Sequence, residues 1–297
     1  VFDEAHKLRN EGAHVSRFSK ILNVSTKWLL TGTPLERDEK DIQTILQILD
    51  PGLAVSNRAP DKFLLKSRFK NITLRRTKAD VLSHLPKLTR TVQYLKMTNA
   101  QTEYYNGLVQ KYKKSQPSDK VGILTKLMIA ASDCPLGNSN KILKAKEILC
   151  DNIVRGEKTI IFSKFNLILE KLSKYLTTEQ ISNVLVYGKQ DFDTRQRLIN
   201  KFQMDKTCTS LLINLSIGSE GLTLTEANNV IFLNEAWNPS MNRQAEDRVN
   251  RIGQHRHVNI EVLRSFESID VSLEKILAHK SELESEYVEM LLSEALH

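Results

Sequence analysis

Short apolar runs alternate with amphipathic, helix-length stretches over the second half of this 297-residue chain. Thr159–Phe162, Asn183–Val186, Ser210–Ile213, Val230–Leu233 and Val258–Leu263 are short, apolar and bounded by polar residues, the pattern of buried strands. Helices fit residues 141–155, Leu167–Leu176 and Asp193–Gln203, with a loop and short turn at Ser216–Ala227. Strands separated by crossovers predict a parallel sheet covered on both faces, and so an α/β fold class. In the first fifty residues, Val1 and Phe2 read as the end of a buried strand, and Lys27–Leu30 leads into another that stops at Thr31 and Gly32. A helix follows over Asp38–Leu49, with Ile42, Ile45, Leu46 and Leu49 on one stripe, ended by Asp50, Pro51 and Gly52. Between residues 54 and 140 the pattern becomes basic and helical, broken at Ser115–Asp119 and Pro135–Asn140, with Leu108, Tyr112, Leu124, Leu127 and Met128 as core positions. From Ser268 onward an amphipathic helix or helices close the chain.

Composition supports a globular protein with room for two cores, at 34.0 kDa, 40% hydrophobic and 26% charged. No apolar run approaches a membrane span, which predicts no membrane partner, and the N-terminus lacks both a secretory signal and an initiator Met. Cys134, Cys150 and Cys208 are odd in number and show no C-x-x-C spacing, so neither a disulfide framework nor zinc is expected. His255 and His257 read as a surface loop. Charge changes the picture more. Fifteen Lys and Arg face four Asp and Glu between Arg58 and Lys120, so a local +11 sits inside a chain of net +8. Such clustering suits a polyanion, whose condensed counterions are released on binding, although solubility alone also accounts for it.

Several short patterns carry chemistry. Asp3 and Glu4 follow apolar strand residues, where open α/β sheets present functional groups; an acidic turn is the plainer alternative. Leu29–Pro34, LLTGTP, places two hydroxyls and a glycine at a second strand end. After the strand at Ser210, Gly218 and Gly221 allow backbone amides close to phosphate oxygens. Glu235–Pro239, EAWNP, ends a further strand and leads into Gln244–Gln254, QAEDRVNRIGQ, so three elements are expected to meet at one edge. Arg248 and Arg251, three apart on an expected helix, would share a face; guanidinium groups suit the charge that phosphoryl transfer develops, while a solvated face with Glu246 and Asp247 is the alternative. No G-x-x-x-x-G-K-[ST] phosphate loop occurs, since the one Gly-Lys pair, Gly188–Lys189, has Asn183 and Gln190 at the flanking positions.

The order VFDEAH, LLTGTP, LRRTKADV, KTIIFSKF, the glycine loop, EAWNP and QAEDRVNRIGQ resembles the SWI/SNF-type ATPases of helicase superfamily two over nearly the whole chain. Gly253 followed by Gln254 is similar to the remodelling and translocase group rather than to DEAD-box or DEAH-box helicases. The sequence departs from the family pattern at Asn250, where His is common, at Ser219, where a second glycine is usual, and at Glu36–Asp41, which replaces a more amide-rich stretch. The resemblance implies RecA-like parallel sheets: a truncated first lobe (1–53), a basic helical linker and protrusion (54–140), a complete second lobe (141–266) and C-terminal brace helices (267–297). It implies ATP and Mg²⁺ as cofactors, with Asp3 and Glu4 holding the metal and activating water. Gly221, Gln244, Arg248 and Arg251 would contact ATP, and Thr31, Gly32 and Thr33 would couple that site to DNA. Double-stranded DNA would meet Arg75, Arg76, Lys78, Ser163, Lys164, Gly218, Ser219, Trp237 and Asn238. Nucleosomes or transcription and repair proteins are further implied partners, with a nuclear location, the host nucleus if the chain is a viral transactivator-like member. A non-catalytic nucleic-acid-binding remnant is the rival expectation for a chain without a phosphate loop.

Overall fold

The computed structural model describes residues 1–8, 10, 13–32, 39–50, 69, 71–74, 76, 85–135, 137–218 and 221–293. The chain forms two compact units, Val1–Ser83 with Leu277–His297, and His84–Ile276.

In the first unit, Phe2 and Leu29 form a parallel bridge, with the Phe2 amide donating to Trp28 at 2.8 Å and the Leu30 amide to Phe2 at 2.9 Å. The two expected strand ends therefore lie side by side. A 3-10 helix (Ala5–Leu8), α1 (His14–Ile21) and α2 (Glu39–Leu49) accompany them. Ala5, Leu8 and Ile48 form a small core against Phe2 and Leu29. Lys20 Nζ donates to Gln47 Oε1 at 2.7 Å and so ties α1 to α2.

The second unit is built on β1 (Leu88–Leu95), β2 (Thr159–Ser163), β3 (Asn183–Val186), β4 (Ser210–Asn214), β5 (Asn229–Phe232) and β6 (Val258–Ser265). They form one all-parallel sheet in the order β1-β6-β5-β2-β4-β3. The helices are α3 (Asn99–Lys114), α4 (Pro117–Ser132), α5 (Asn140–Val154), α6 (Asn166–Thr178), α7 (Phe192–Met204), α8 (Leu215–Gly218), α9 (Pro239–Glu246) and α10 (Ile269–Ser293), of which residues to Ile276 belong here. Strand side chains alternate between two cores, as the pleat requires. Ile160, Phe162, Leu211, Ile213, Val230 and Phe232 pack on one side with Ile199 and Phe202 of α7. Ile161, Leu212, Ile231 and Leu263 pack on the other with Ile142, Ala145 and Leu149 of α5 and Ile168, Leu169 and Leu172 of α6. Both faces are covered, which is why β2, β4 and β5 read as unbroken apolar runs.

One element departs from the sequence expectation: β1 lies inside the stretch read as helical. LTRTVQYL is polar at four positions and exposed or half-buried throughout, because β1 is the sheet edge and pairs only with β6. It offers no apolar run; its signal was the β-branched Thr89, Thr91 and Val92. In the helical part of that stretch, Leu127 and Met128 are buried as expected, joined by Tyr105 and Ile123, while Leu108, Tyr112 and Leu124 are half-buried.

At the carboxyl ends of β2, β5 and β6 sits a buried polar cluster. Lys141 of α5, 1% exposed, donates to Asp270 Oδ2 of α10 at 2.6 Å and to the Leu233 carbonyl at 3.0 Å. Asp270 also accepts the Ser265 amide at 2.8 Å, and Asn234 bonds both Ser132 and Ser163. An ion pair removed from water survives only when its remaining lone pairs and protons are satisfied, as here. Lys141→Met strands the Asp270 charge and is expected to cost about 3–5 kcal/mol in urea unfolding. Lys141→Met with Asp270→Asn, which keeps an acceptor for Ser265, recovers much of that loss; equal destabilisation by the two variants would contradict the ion-pair account.

Candidate functional site

In the first unit, the chain turns sharply after Phe2. Asp3 is exposed, its Oδ1 accepts the Glu4 amide at 2.8 Å, and Glu4 takes a left-handed φ of 50°. Glu4 Oε2 lies 3.2 Å from His6 Nδ1, which is 3.5 Å from Thr31 Oγ1. His6 thus joins the carboxylate pair to the hydroxyl at the neighbouring strand end, a role the sequence reading did not give it. Accessible carboxylate oxygens fit Mg²⁺, which binds proteins through one or two carboxylates and leaves other positions to water and phosphate. Among the described residues no group of three His, Cys, Asp or Glu is placed to hold a metal unaided. Gly32 is exposed with open space around it, and Arg76 is exposed. Thr33, Arg75, Lys78 and Ser219 lie outside the described residues.

The second unit gathers several expected residues at the carboxyl edge of its sheet. Ser163 ends β2 and holds the Phe165 amide at 3.1 Å, leaving Lys164 exposed in the turn. Asn214, not anticipated, ends β4 and donates to the Lys164 carbonyl at 3.1 Å and to Asn166 Oδ1 at 2.6 Å, so it shapes the Lys164 turn. Asn238 caps α9 by accepting the Ser240 amide at 3.0 Å, and Trp237 Nε1 donates to Met128 Sδ at 2.9 Å. Asn242 clamps the preceding turn through the Ala236 amide at 2.8 Å and carbonyl at 3.1 Å.

Gly218 is fixed by packing: a Cβ there would lie 2.3 Å from Phe162 Cε1, and that ring is stacked on Phe232 at 5.2 Å. Gly221 instead adopts a positive φ of 42° in open space. The two glycines of the loop therefore serve different constraints, close approach and backbone conformation.

The arginine segment corrects the expectation of a shared helical face. α9 ends at Glu246, and residues from Asp247 onward follow successive turns, with the Arg248 amide on Ala245 at 3.2 Å and the Gln254 amide on Arg251 at 2.9 Å. Arg248 and half-buried Gln244 lie close to the helix end, and Arg251 is exposed. A connection between parallel strands must recross the sheet, so this segment leaves the carboxyl edge and runs to the amino end of β6. It meets the later half of the glycine loop rather than Gly218: the Leu224 amide donates to Arg248 at 2.9 Å, and Gln254 Nε2 donates to the Ala227 carbonyl at 2.7 Å. Gln254 is 4% exposed and also bonds Thr225 at 3.1 Å, so the glutamine that closes the pattern is a structural clamp.

An ionic chain spans this connection. Glu235, buried, accepts Arg90 Nη2 of β1 at 2.6 Å on one oxygen and Arg264 Nη2 of β6 at 2.6 Å on the other. Arg90 Nε reaches Glu246 Oε1 at 3.2 Å, and Arg264 pairs with Glu274. Burial pushes the Glu246 carboxyl above its usual pKa, with Arg90 acting against that shift.

An all-parallel sheet covered by helices on both faces, with polar residues gathered at its strand ends, defines a RecA-like α/β architecture. Residues 1–135 match the SNF2-related domain and residues 140–253 the helicase conserved C-terminal domain. A Xenopus tropicalis SWI/SNF-related regulator of chromatin, subfamily A containing DEAD/H box 1, is 24% identical over 96% of this chain and 37% of its own length. An uncharacterized ATP-dependent helicase of Mycoplasma pneumoniae is 28% identical over 96% of this chain and 30% of its own. The Sulfolobus solfataricus SWI2/SNF2 ATPase core, solved in complex with dsDNA, superposes with a TM-score of 0.58 at 27% identity, covering 95% of this chain and 66% of that one. The chain belongs to the SWI/SNF-type ATPases of helicase superfamily two. It spans about a third of the length of these two curated relatives.

Gly218→Ala is expected to cost about 1–3 kcal/mol, because its methyl group must displace a stacked, buried ring. Thermal unfolding checks this, and Gly218→Ala combined with Phe162→Leu should recover part of the loss. A Gly218→Ala variant as stable as the parent would remove the packing explanation.

Proposed function

We propose that this chain is the carboxylate-and-arginine portion of an ATP-dependent double-stranded DNA translocase of the chromatin-remodelling type. Asp3 and Glu4 hold Mg²⁺ and orient the attacking water, and Thr31 with Gly32 and Thr33 transmits the state of that site. Gly221, Gln244, Arg248 and Arg251 serve ATP, with the two guanidinium groups stabilising charge on the transferred phosphoryl group. Arg75, Arg76, Lys78, Ser163, Lys164, Gly218, Ser219, Trp237 and Asn238 line the track of the duplex. The observation that carries this reading is the arginine turn, fixed at Leu224 on one side and through Glu246 on the other. Duplex DNA as the polyanion is supported by the dsDNA-bound Sulfolobus core and by the +11 between Arg58 and Lys120. A chromatin partner, and with it a nuclear address, is proposed from the relative named as a regulator of chromatin.

A second reading concerns the 297 residues by themselves, which contain no phosphate loop. On their own they bind DNA without turning over ATP, as a nucleic-acid-binding or regulatory module.

The two readings are tested together. In a polypeptide joining this chain to a phosphate-loop-bearing first-lobe segment, DNA-stimulated ATP hydrolysis is expected to fall by about 10³-fold or more on Arg251→Ala or Glu4→Gln. Unchanged turnover removes the translocase reading. The chain alone should bind duplex DNA with an affinity that falls steeply as salt rises, without hydrolysing ATP; salt-insensitive binding or robust hydrolysis removes the second.

A further inference from the structure

Glu246 is the residue to which the arginine turn is moored. Its main-chain carbonyl accepts the amides of Val249 at 3.1 Å and Asn250 at 2.9 Å, bracketing Arg248. Its side chain accepts Arg90 Nε at 3.2 Å, while Arg90 Nη2 donates to Glu235 at 2.6 Å. Glu235 is in turn immobilised by Arg264, through Nε at 3.0 Å and Nη2 at 2.6 Å. We propose that Arg90 is a positioning residue for the Arg248–Arg251 turn, one guanidinium bridging two carboxylates so that the turn is set against β1 and β6. The proposal rests on the reading that these arginines address a phosphoryl group, but its geometry does not.

The residue type matters. A guanidinium presents separate N–H groups in a rigid plane and serves two acceptors at a fixed spacing, which a lysine ammonium on a flexible stem does not. The electrostatics point the same way. Glu246 faces Arg90, Asp247 and Glu235, and its burial disfavours the charged form. A raised carboxyl pKa means the folded state binds the proton more tightly than the unfolded chain, so ionising Glu246 as pH rises works against folding. Arg90 offsets that, and what the ionised pair provides is orientation rather than stability. Glu246→Gln therefore separates the two roles: it removes the charge that burial penalises and with it the strong bond to Arg90.

Hydrogen–deuterium exchange on the intact chain reads the turn directly. For Glu246→Gln, exchange of the Val249, Asn250 and Gln254 amides is expected to accelerate about tenfold or more, while β2, β4 and β5 exchange at the parent rate and the urea midpoint does not fall. Arg90→Met should reproduce the local effect, and Arg90→Lys should restore it only in part. Protection of those amides at the parent level in Glu246→Gln and Arg90→Met overturns the proposal, as does acceleration spread evenly over the sheet. In the ATP-hydrolysing polypeptide, Arg90→Met should lower kcat at unchanged KM. Loss of the exchange effect condemns the positioning role, whereas normal turnover in Arg248→Ala and Arg251→Ala condemns the phosphoryl reading while leaving the exchange result intact.

Discussion

A buried carboxylate, Glu235, organises the part of the second unit where chemistry is expected. At 6% exposure it is not sustained as an anion without cations, and it takes one from each of the two strands beyond β5, Arg264 from β6 and Arg90 from β1. This fixes more than a pair of charges. The segment from Leu233 to His257 must leave the carboxyl end of β5 and return to the amino end of β6, carrying EAWNP, α9 and the arginine turn. Glu235 pins its start, Glu246 its middle through the same Arg90, and Gln254 its end through Ala227 and Thr225. The edge strand β1 therefore helps to hold this segment through Arg90, although it contributes little apolar core.

The buried Lys141–Asp270 pair does similar work at the same carboxyl edge, joining α5, α10 and the β5 exit. Both clusters place ionised groups where apolar residues would pack at lower desolvation cost. Each ties together elements far apart in sequence, and hydrophobic contact does not specify register or orientation as sharply.

The strands β2, β4 and β5 were legible because a parallel sheet buried on both faces demands continuous apolar runs, β3 and β6 because apolar residues recur at their buried positions, and the helices because the stripe facing the sheet repeats every three to four residues. β1 was not, since an edge strand needs neither, and LTRTVQYL shows only β-branched residues. The shape of the arginine segment was not legible: QAEDRVNRIGQ has no proline or glycine before Gly253 to end a helix at Glu246, and the ending is imposed by the Leu224 amide binding the Arg248 carbonyl. Asp3, Glu4 and the glycines could be found from their places at strand ends. His6, Asn214, Arg90 and Arg264 could not, because their partners are set by tertiary neighbours; Arg90 and Glu235 are 145 positions apart.

In the proposed reaction the carboxylates and the guanidinium groups have different roles. The first unit presents oxygen ligands beside a strand end, the second unit presents guanidinium groups on a turn braced by ion pairs, and neither contains a phosphate loop in its sequence. Arg248 and Arg251 are proposed to address the phosphoryl group of ATP. The most direct measurement is an experimental structure, with ADP–aluminium fluoride and duplex DNA, of this chain joined to a phosphate-loop-bearing first-lobe segment. Both guanidinium groups are expected within hydrogen-bonding distance of the fluoride ligands, with Arg90 still bridging Glu235 and Glu246; guanidinium groups turned to solvent or to the DNA backbone, away from the nucleotide, would exclude that role.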